Sequence, residues 1–269
     1  MIEYSYHKQL NKWGVFLKDK KTVWKAVLIA ALIVAIICVC YLIYLFTGRI
    51  MSEKEKEQYT NTTAVTKVLD TRPDSPVDFE KLKATNPEIV GWLKVDGTDI
   101  DYPVLRTSSH DDDYYLNHTY DNKYSSAGAI YMEKKNLATF QSPVTVLYGH
   151  NWRNNGYFRP LYSFKDKDFF EKNRYMYIYT PGHRLKYEIY AAYEYDDRHI
   201  LNSFDFTNIQ TLDEYLQSTL SPASLVKNVK SGVTLDTTDK ILTLSTCVEG
   251  VRTSRYLVQG VLVEDSATK

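Results

Sequence analysis

From Ala26 to Phe46 the chain reads AVLIAALIVAIICVCYLIYLF, an apolar run with no charge in it. At about 1.5 Å of rise per residue, a helix of that length covers roughly 31 Å, close to the hydrocarbon core of a bilayer. A buried helix of a soluble domain would show polar positions over so many turns, and this run shows none. No Ala-x-Ala cleavage pattern follows, since the run leaves through Thr47-Gly48-Arg49. The pattern predicts a retained signal-anchor helix over 26–46 rather than a cleaved signal peptide. Lys8, Lys12, Lys18, Lys20, Lys21 and Lys25 precede it against only Glu3 and Asp19, whereas acids and bases alternate after Arg49. The basic side stays in the cytoplasm, so residues 1–25 form a cytoplasmic tail and everything after Phe46 lies outside the cell.

Residues 47–76 are polar and charged, ending in Asp70-Thr-Arg-Pro-Asp-Ser-Pro76, and read as a stalk between membrane and body. From Val77 the pattern changes to short runs, several of them alternating apolar and polar residues. These are 92–95, 100–105, 129–132, 144–149, 175–180, 186–195, 241–247 and 256–263. Period-two alternation predicts half-buried antiparallel strands. Pro103 inside its run predicts an edge strand or a bulge there. Two segments have helical spacing instead: Phe79–Asn86, behind a Pro-Val-Asp start signal, and Thr211–Leu220. The expectation is a mostly-β domain over 77–269, a closed eight-stranded β-barrel with helical insertions, preceded by one transmembrane helix.

Composition narrows the function classes. The chain is 44% hydrophobic, which excludes wholesale disorder, and its 23 tyrosines against 11 glycines favour sheet. With 33 basic and 33 acidic residues, it lacks the basic footprint of a sequence-independent nucleic-acid binder. Its 3 cysteines cannot make a disulfide framework. Cys38 and Cys40 fall in the apolar run and read as small apolar residues. Cys247 is therefore the one thiol outside the membrane, at the end of the strand Ile-Leu-Thr-Leu-Ser-Thr-Cys. Keeping an unpaired thiol in an oxidising compartment suggests that it is used, although spacing alone leaves an inert cysteine open.

Among the histidines, His150 stands out at the end of a strand in Tyr-Gly-His-Asn, where position alone also allows a structural role. His110, His118, His183 and His199 read as surface histidines. Arg255 opens the last strand and would converge on Cys247 if the two strands form a hairpin; Arg252 reads as a solvated charge in the connecting loop. The Asp111–Asp113 run reads as a solvated loop.

Taken in order, Tyr148-Gly-His-Asn, Thr243-Leu-Ser-Thr-Cys247 and Arg255 resemble the sortases. Asn86-Pro-Glu-Ile-Val-Gly-Trp-Leu-Lys-Val-Asp-Gly-Thr-Asp-Ile-Asp-Tyr-Pro-Val, Tyr115-Leu-Asn-His and Ala127-Gly-Ala-Ile-Tyr are similar to class B in particular. The resemblance covers about residues 77–263 and departs at Arg106, where a glutamine is expected. It implies a sortase-type barrel and a transpeptidation, in which Cys247 attacks a threonyl carbonyl to form a thioester. His150 would serve as general acid and then base. Arg255, which stays protonated, would donate hydrogen bonds to the oxyanion. Ser245, Thr246 and Leu116 are the implied contacts to the sorting signal.

No metal or organic cofactor is implied. The implied partners are sorting-signal-bearing surface proteins, an acceptor amine of a peptidoglycan cross-bridge or a pilin lysine, and the membrane through 26–46. Nucleic acid is not among them. An L,D-transpeptidase would place a glycine before its cysteine, where this chain has Thr246. A papain-like hydrolase would place Cys before His. A tethered binding module would give Cys247 no reason to react unusually fast.

Overall fold

Burial alternates residue by residue along Tyr175–Thr180, as a half-buried strand requires, whereas Val144–Tyr148 and Ile241–Val248 are buried over successive residues, 144–147 and 241–246, and so on both faces. The structure is a computed structural model that describes residues 24–25, 27–29, 31–43, 75–152 and 156–268, with only the backbone of 251 and 252. It divides into two units, Met1–Met51 and Ser52–Lys269. In the first unit residues 27–29 and 31–43 are helical and exposed. Among the described residues, no helix is long and apolar enough to cross a membrane. The rest of the expected span (Ala26, Ala30 and 44–46), the tail through 23 and the stalk over 47–74 lie outside the described residues.

The second unit begins with helix α1 (Phe79–Thr85), whose start is set by Asp78 accepting from the Lys81 N–H at 3.0 Å. Strands β1 (Ile89–Val95), β2 (Asp101–Leu105), β3 (Ile130–Tyr131) and β4 (Val144–Tyr148) follow. A short ribbon of β5 (Asn151–Trp152) and β6 (Gly156–Tyr157) leads into a 3-10 helix, Arg159–Lys165, and helix α2 (Lys167–Lys172). Then come β7 (Tyr175–Thr180), β8 (His183–Asp196), helices α3 (Ile200–Ser203) and α4 (Ile209–Leu220), β9 (Lys227–Val229), β10 (Ile241–Val248) and β11 (Val251–Ala267).

Strand order is β11-β10-β4-β3-β2-β1-β7-β8, and β8 pairs back onto β11, so eight strands close a barrel and β9 adds outside the ring. Closure removes the exposed strand edges that an open sheet would present. All eight expected runs are the eight barrel strands, with β8 and β11 reaching further than their apolar centres. Two pairings are parallel, β2–β3 and β4–β10.

Of the two expectations for Pro103, the edge is not found, while the β1–β2 ladder does carry a register shift nearby, between Ile89 and Gly91. β2 lies inside the ring, not at an edge; it pairs with β1 along its length, with Pro103 opposite Trp92. Its pairing to β3 is confined to Val104 and Leu105, so the missing N–H breaks no bond on that side.

Neighbouring residues of the strands go to different cores. Leu147, Leu244, Tyr256 and Val258 join the main cluster. Val146 and Leu257 join a second cluster with Leu212, Tyr215 and Leu216 of α4. Gln259, fully buried, keys this second layer: it donates to Tyr215 Oη (3.0 Å) and Thr243 Oγ1 (2.9 Å) and accepts from Tyr193 Oη (2.9 Å). A buried amide satisfied on both ends fixes the seat of α4 in a way that apolar contacts alone do not.

Candidate active site

The parallel ladder of β4 and β10 ends with Tyr148 opposite Ser245, and the Gly149 N–H donates to the Ser245 carbonyl at 3.2 Å. His150 and Cys247 each lie two residues beyond that pair, and both side chains line one cleft. On the other flank of β10, Cys247 stands directly opposite Arg255 of β11. Directly opposed residues of an antiparallel pair share a face with Cβ atoms about 5 Å apart. β8 adds Tyr195 opposite Arg255.

The turn between β10 and β11 makes this pairing non-obvious. Val248 faces Val251 across Glu249-Gly250, where Gly250 takes φ of 75°, a left-handed conformation that needs no strain in glycine. A regular ladder continued from that pair would set Arg252 against Cys247. The register shifts between Cys247 and Val248 instead, and Arg255 takes the position. Arg252 accordingly belongs to strand β11, not to a loop as its sequence context suggests.

These side chains open on a cleft of about 510 Å³ lined by all six residues singled out in the sequence: Leu116, His150, Ser245, Thr246, Cys247 and Arg255. Cys247 is an exposed free thiol. Ser245 and Thr246 are only 5% and 2% exposed, so they belong to the cleft floor. Leu116 is 42% exposed, and its main chain has a second role. His150 Nε2 lies 2.7 Å from the Leu116 carbonyl. A carbonyl only accepts, so Nε2 carries a proton and Nδ1 is the nitrogen left to gain and lose one.

Several ties hold that carbonyl in place. Tyr115, fully buried, donates from Oη to Glu88 Oε2 at 2.7 Å and accepts from Asn86 Nδ2 at 2.9 Å. Glu88 Oε1 accepts from the Ser108 N–H and Oγ at 2.5 and 2.7 Å. Partial burial works against the Glu88 charge, but the Tyr115 and Ser108 hydrogen bonds outweigh it and lower the carboxyl to about 2. Gly128 packs against the same turn with φ of 63°, and a Cβ there would come within 2.5 Å of the Leu116 oxygen.

Residues that the sequence did not single out complete the cleft. His199, expected on the surface, is half-buried; its Nε2 meets Glu133 Oε1 at 2.6 Å. Burial raises the Glu133 carboxyl above its ordinary range despite that histidine. The Tyr131 and Tyr148 rings lie tilted against each other with centroids 5.5 Å apart, and burial, with Glu133 nearby, raises both phenols. The Tyr148 and Tyr195 hydroxyls and His199 Nδ1 have no hydrogen-bond partner among the described residues. Buried polar atoms are nearly always paired, so these three are exceptions in the wall behind the cleft. Asp112 and Asp113 also line it, and Asp111 and Asp113 are exposed, as expected of a solvated loop. Among the described residues, no three His, Cys, Asp or Glu side chains are grouped to hold a metal ion.

A thiol, an imidazole with one nitrogen committed, and a fixed guanidinium in one cleft are the parts of a thiol-based acyl transfer. Comparison with known proteins agrees. The sortase-domain family model matches residues 93–263. The sortase B of Listeria monocytogenes is 34% identical over 211 residues, which cover 77% of this chain and 82% of that one.

The chain belongs to the class B sortases.

It is therefore an enzyme of a cysteine transpeptidase family, as the sequence motifs imply. The fold agrees as well. The structure of Clostridium perfringens sortase B aligns with a TM-score of 0.63 at 31% identity, covering 70% of this sortase and 100% of that chain. A Staphylococcus aureus sortase B–substrate complex aligns with a TM-score of 0.67 at 26% identity, covering 80% of this chain and 99% of that one. Arg106, the departure from the family pattern, donates to the carbonyls of Asn136 and Lys134 at 2.9 and 2.8 Å.

Proposed function

We propose that this sortase cleaves the sorting signal of surface proteins after a threonine and transfers the threonyl end to an amine of the cell wall. The observation that carries the reading is the opposition of Cys247 and Arg255 across β10 and β11 in the cleft that also receives His150. The Cys247 thiolate attacks the threonyl carbonyl and a C–S bond forms. Arg255 donates to the resulting oxyanion, a kind of contact worth about 3–4 kcal/mol where removed elsewhere. His150, protonated on Nδ1, gives that proton to the departing amine as the C–N bond breaks. The acceptor amine then attacks the thioester, Nδ1 takes its proton, and the C–S bond breaks to return the thiolate.

Leu116, Ser245 and Thr246 bound the threonyl end of the peptide. That the S. aureus relative forms a complex with a substrate supports a substrate site of this kind. The acceptor is a peptidoglycan cross-bridge amine or a pilin lysine. The run 26–46 anchors the enzyme in the cell membrane as a single span, with the N-terminus cytoplasmic and the catalytic domain outside.

The test is intact mass after the full chain, in detergent, meets a panel of peptides of the Leu/Asn/Ser/Pro-Pro-x-Thr-Gly/Asn type. A gain equal to the peptide's N-terminal part, absent in Cys247→Ala, is the expected result. No adduct with any peptide, or an adduct that survives Cys247→Ala, overturns the reading.

A further inference from the structure

The main chain at Cys247 is held by side chains that do not line the cleft. Tyr162, in the 3-10 helix after β6, donates from Oη to the Cys247 carbonyl at 2.7 Å, and Asn151 Nδ2 reaches the same oxygen at 3.3 Å. Asn151 Nδ2 also donates to Tyr162 Oη at 2.9 Å, and the Glu249 N–H donates to that hydroxyl at 2.9 Å. Arg159 closes the set: its guanidinium donates to Asn151 Oδ1 at 3.1 Å and to the Glu249 carboxylate at 2.5 Å. Tyr162 is thus hydrogen-bonded to both sides of the peptide segment 247–249. That is the segment in which the β10–β11 register shifts, immediately after the Cys247–Arg255 pair, so the ladder holds the nucleophile's backbone from one side only.

We infer that Tyr162, supported by Asn151 and Arg159, is a positioning residue for Cys247. Gripping the carbonyl fixes the peptide plane after the nucleophile, and with it the direction in which Cα and Cβ carry Sγ toward Arg255 and the bound carbonyl. A nucleophile displaced by about 1 Å loses as much as a hundredfold in rate. The Tyr162 ring is itself restrained, with Lys165 Nζ 4.9 Å and the Arg159 guanidinium 5.4 Å from its centroid. Burial keeps the phenol above its ordinary pKa, so Oη retains the proton it donates.

The inference rests on Cys247 being the acylated residue, and the experiment separates the two. Single-turnover acylation is followed by intact mass for the full-length wild type, Tyr162→Phe, Asn151→Ala and the double variant. Tyr162→Phe lowers the saturating acylation rate about tenfold, while the half-saturating peptide concentration stays within about twofold. The double variant falls little below Tyr162→Phe alone, because the two residues hold one oxygen. Amide hydrogen exchange accelerates over 246–250 and not in β1 or β7. Acylation of Tyr162→Phe at the wild-type rate, or a loss expressed only as weaker peptide binding, overturns the inference. Should the wild type form no adduct, the transpeptidase reading fails on its own. Exchange then decides about Tyr162: unchanged exchange over 246–250 rejects the hold on the main chain, and faster exchange sustains it.

Discussion

His150 shows how a single backbone contact assigns a chemical role. With Nε2 committed to the Leu116 oxygen, proton traffic is left to Nδ1. The histidine is therefore only as well placed as the turn that carries Leu116. Glu88 is the distant support of that turn, through Tyr115 and Ser108. Its carboxyl falls from an ordinary 4.5 to about 2 in the folded protein, so the folded state binds its proton less tightly than the unfolded one. The resulting stabilisation is complete above pH 4.5 and disappears as pH falls toward 2. Glu88→Gln is expected to lower Tm by about 3–6 °C at pH 7. Melting curves across pH should show the gap to wild type narrowing below pH 4.5; a constant gap would mean that the charge contributes nothing. The Gly128 contact is of the same kind, since the Cβ it lacks would occupy the space beside the Leu116 oxygen.

At the scale of elements, the hairpin of β10 and β11 decides which arginine serves. Regular pairing from Val248–Val251 would present Arg252 to Cys247, and the register shift presents Arg255. Arg255→Lys keeps the charge and loses the planar fork, and should lower acylation about 10²-fold. Arg252→Lys should stay within about twofold of wild type. The reverse order in a peptide-adduct assay would reject this register.

The barrel strands were legible in two ways: β4 and β10 are buried on both faces and read as mainly apolar runs, whereas β7 buries every second residue and so alternates. Helix α4 was legible for the same reason at period 3.6. It starts at Ile209, two residues before the expected Thr211, because Asn208 caps it by accepting from the Thr211 N–H at 3.0 Å. Strands β5, β6 and β9 and helices α2 and α3 were not legible. Their own sequences carry neither an apolar run nor an alternation, and tertiary contacts hold these short elements in place.

For the molecule as a whole, the proposed membrane anchor and the barrel make separate claims. The barrel and its family stand on fold and on sequence together. The anchor rests on the apolar run and its lysine flank. A membrane-impermeant maleimide applied to intact cells should label Cys247 and leave Cys247→Ala unlabelled. Labelling that appears only after lysis would reverse the orientation.

What the sequence determined by itself is whatever local pattern can encode: the apolar run, the eight strands, the order His150, Cys247, Arg255 and the family they indicate. Tertiary structure decided what depends on residues distant in the chain. His199 meets Glu133 across 66 positions, and Tyr162 reaches Cys247 across 85. Neither contact has a period or a spacing, because each exists only once the barrel closes and brings its loops to one end. The choice of Arg255 over Arg252 is of that kind too. It depends on a register shift at one turn, where β8 pairs with β11 from the other side and holds Arg255 opposite Tyr195.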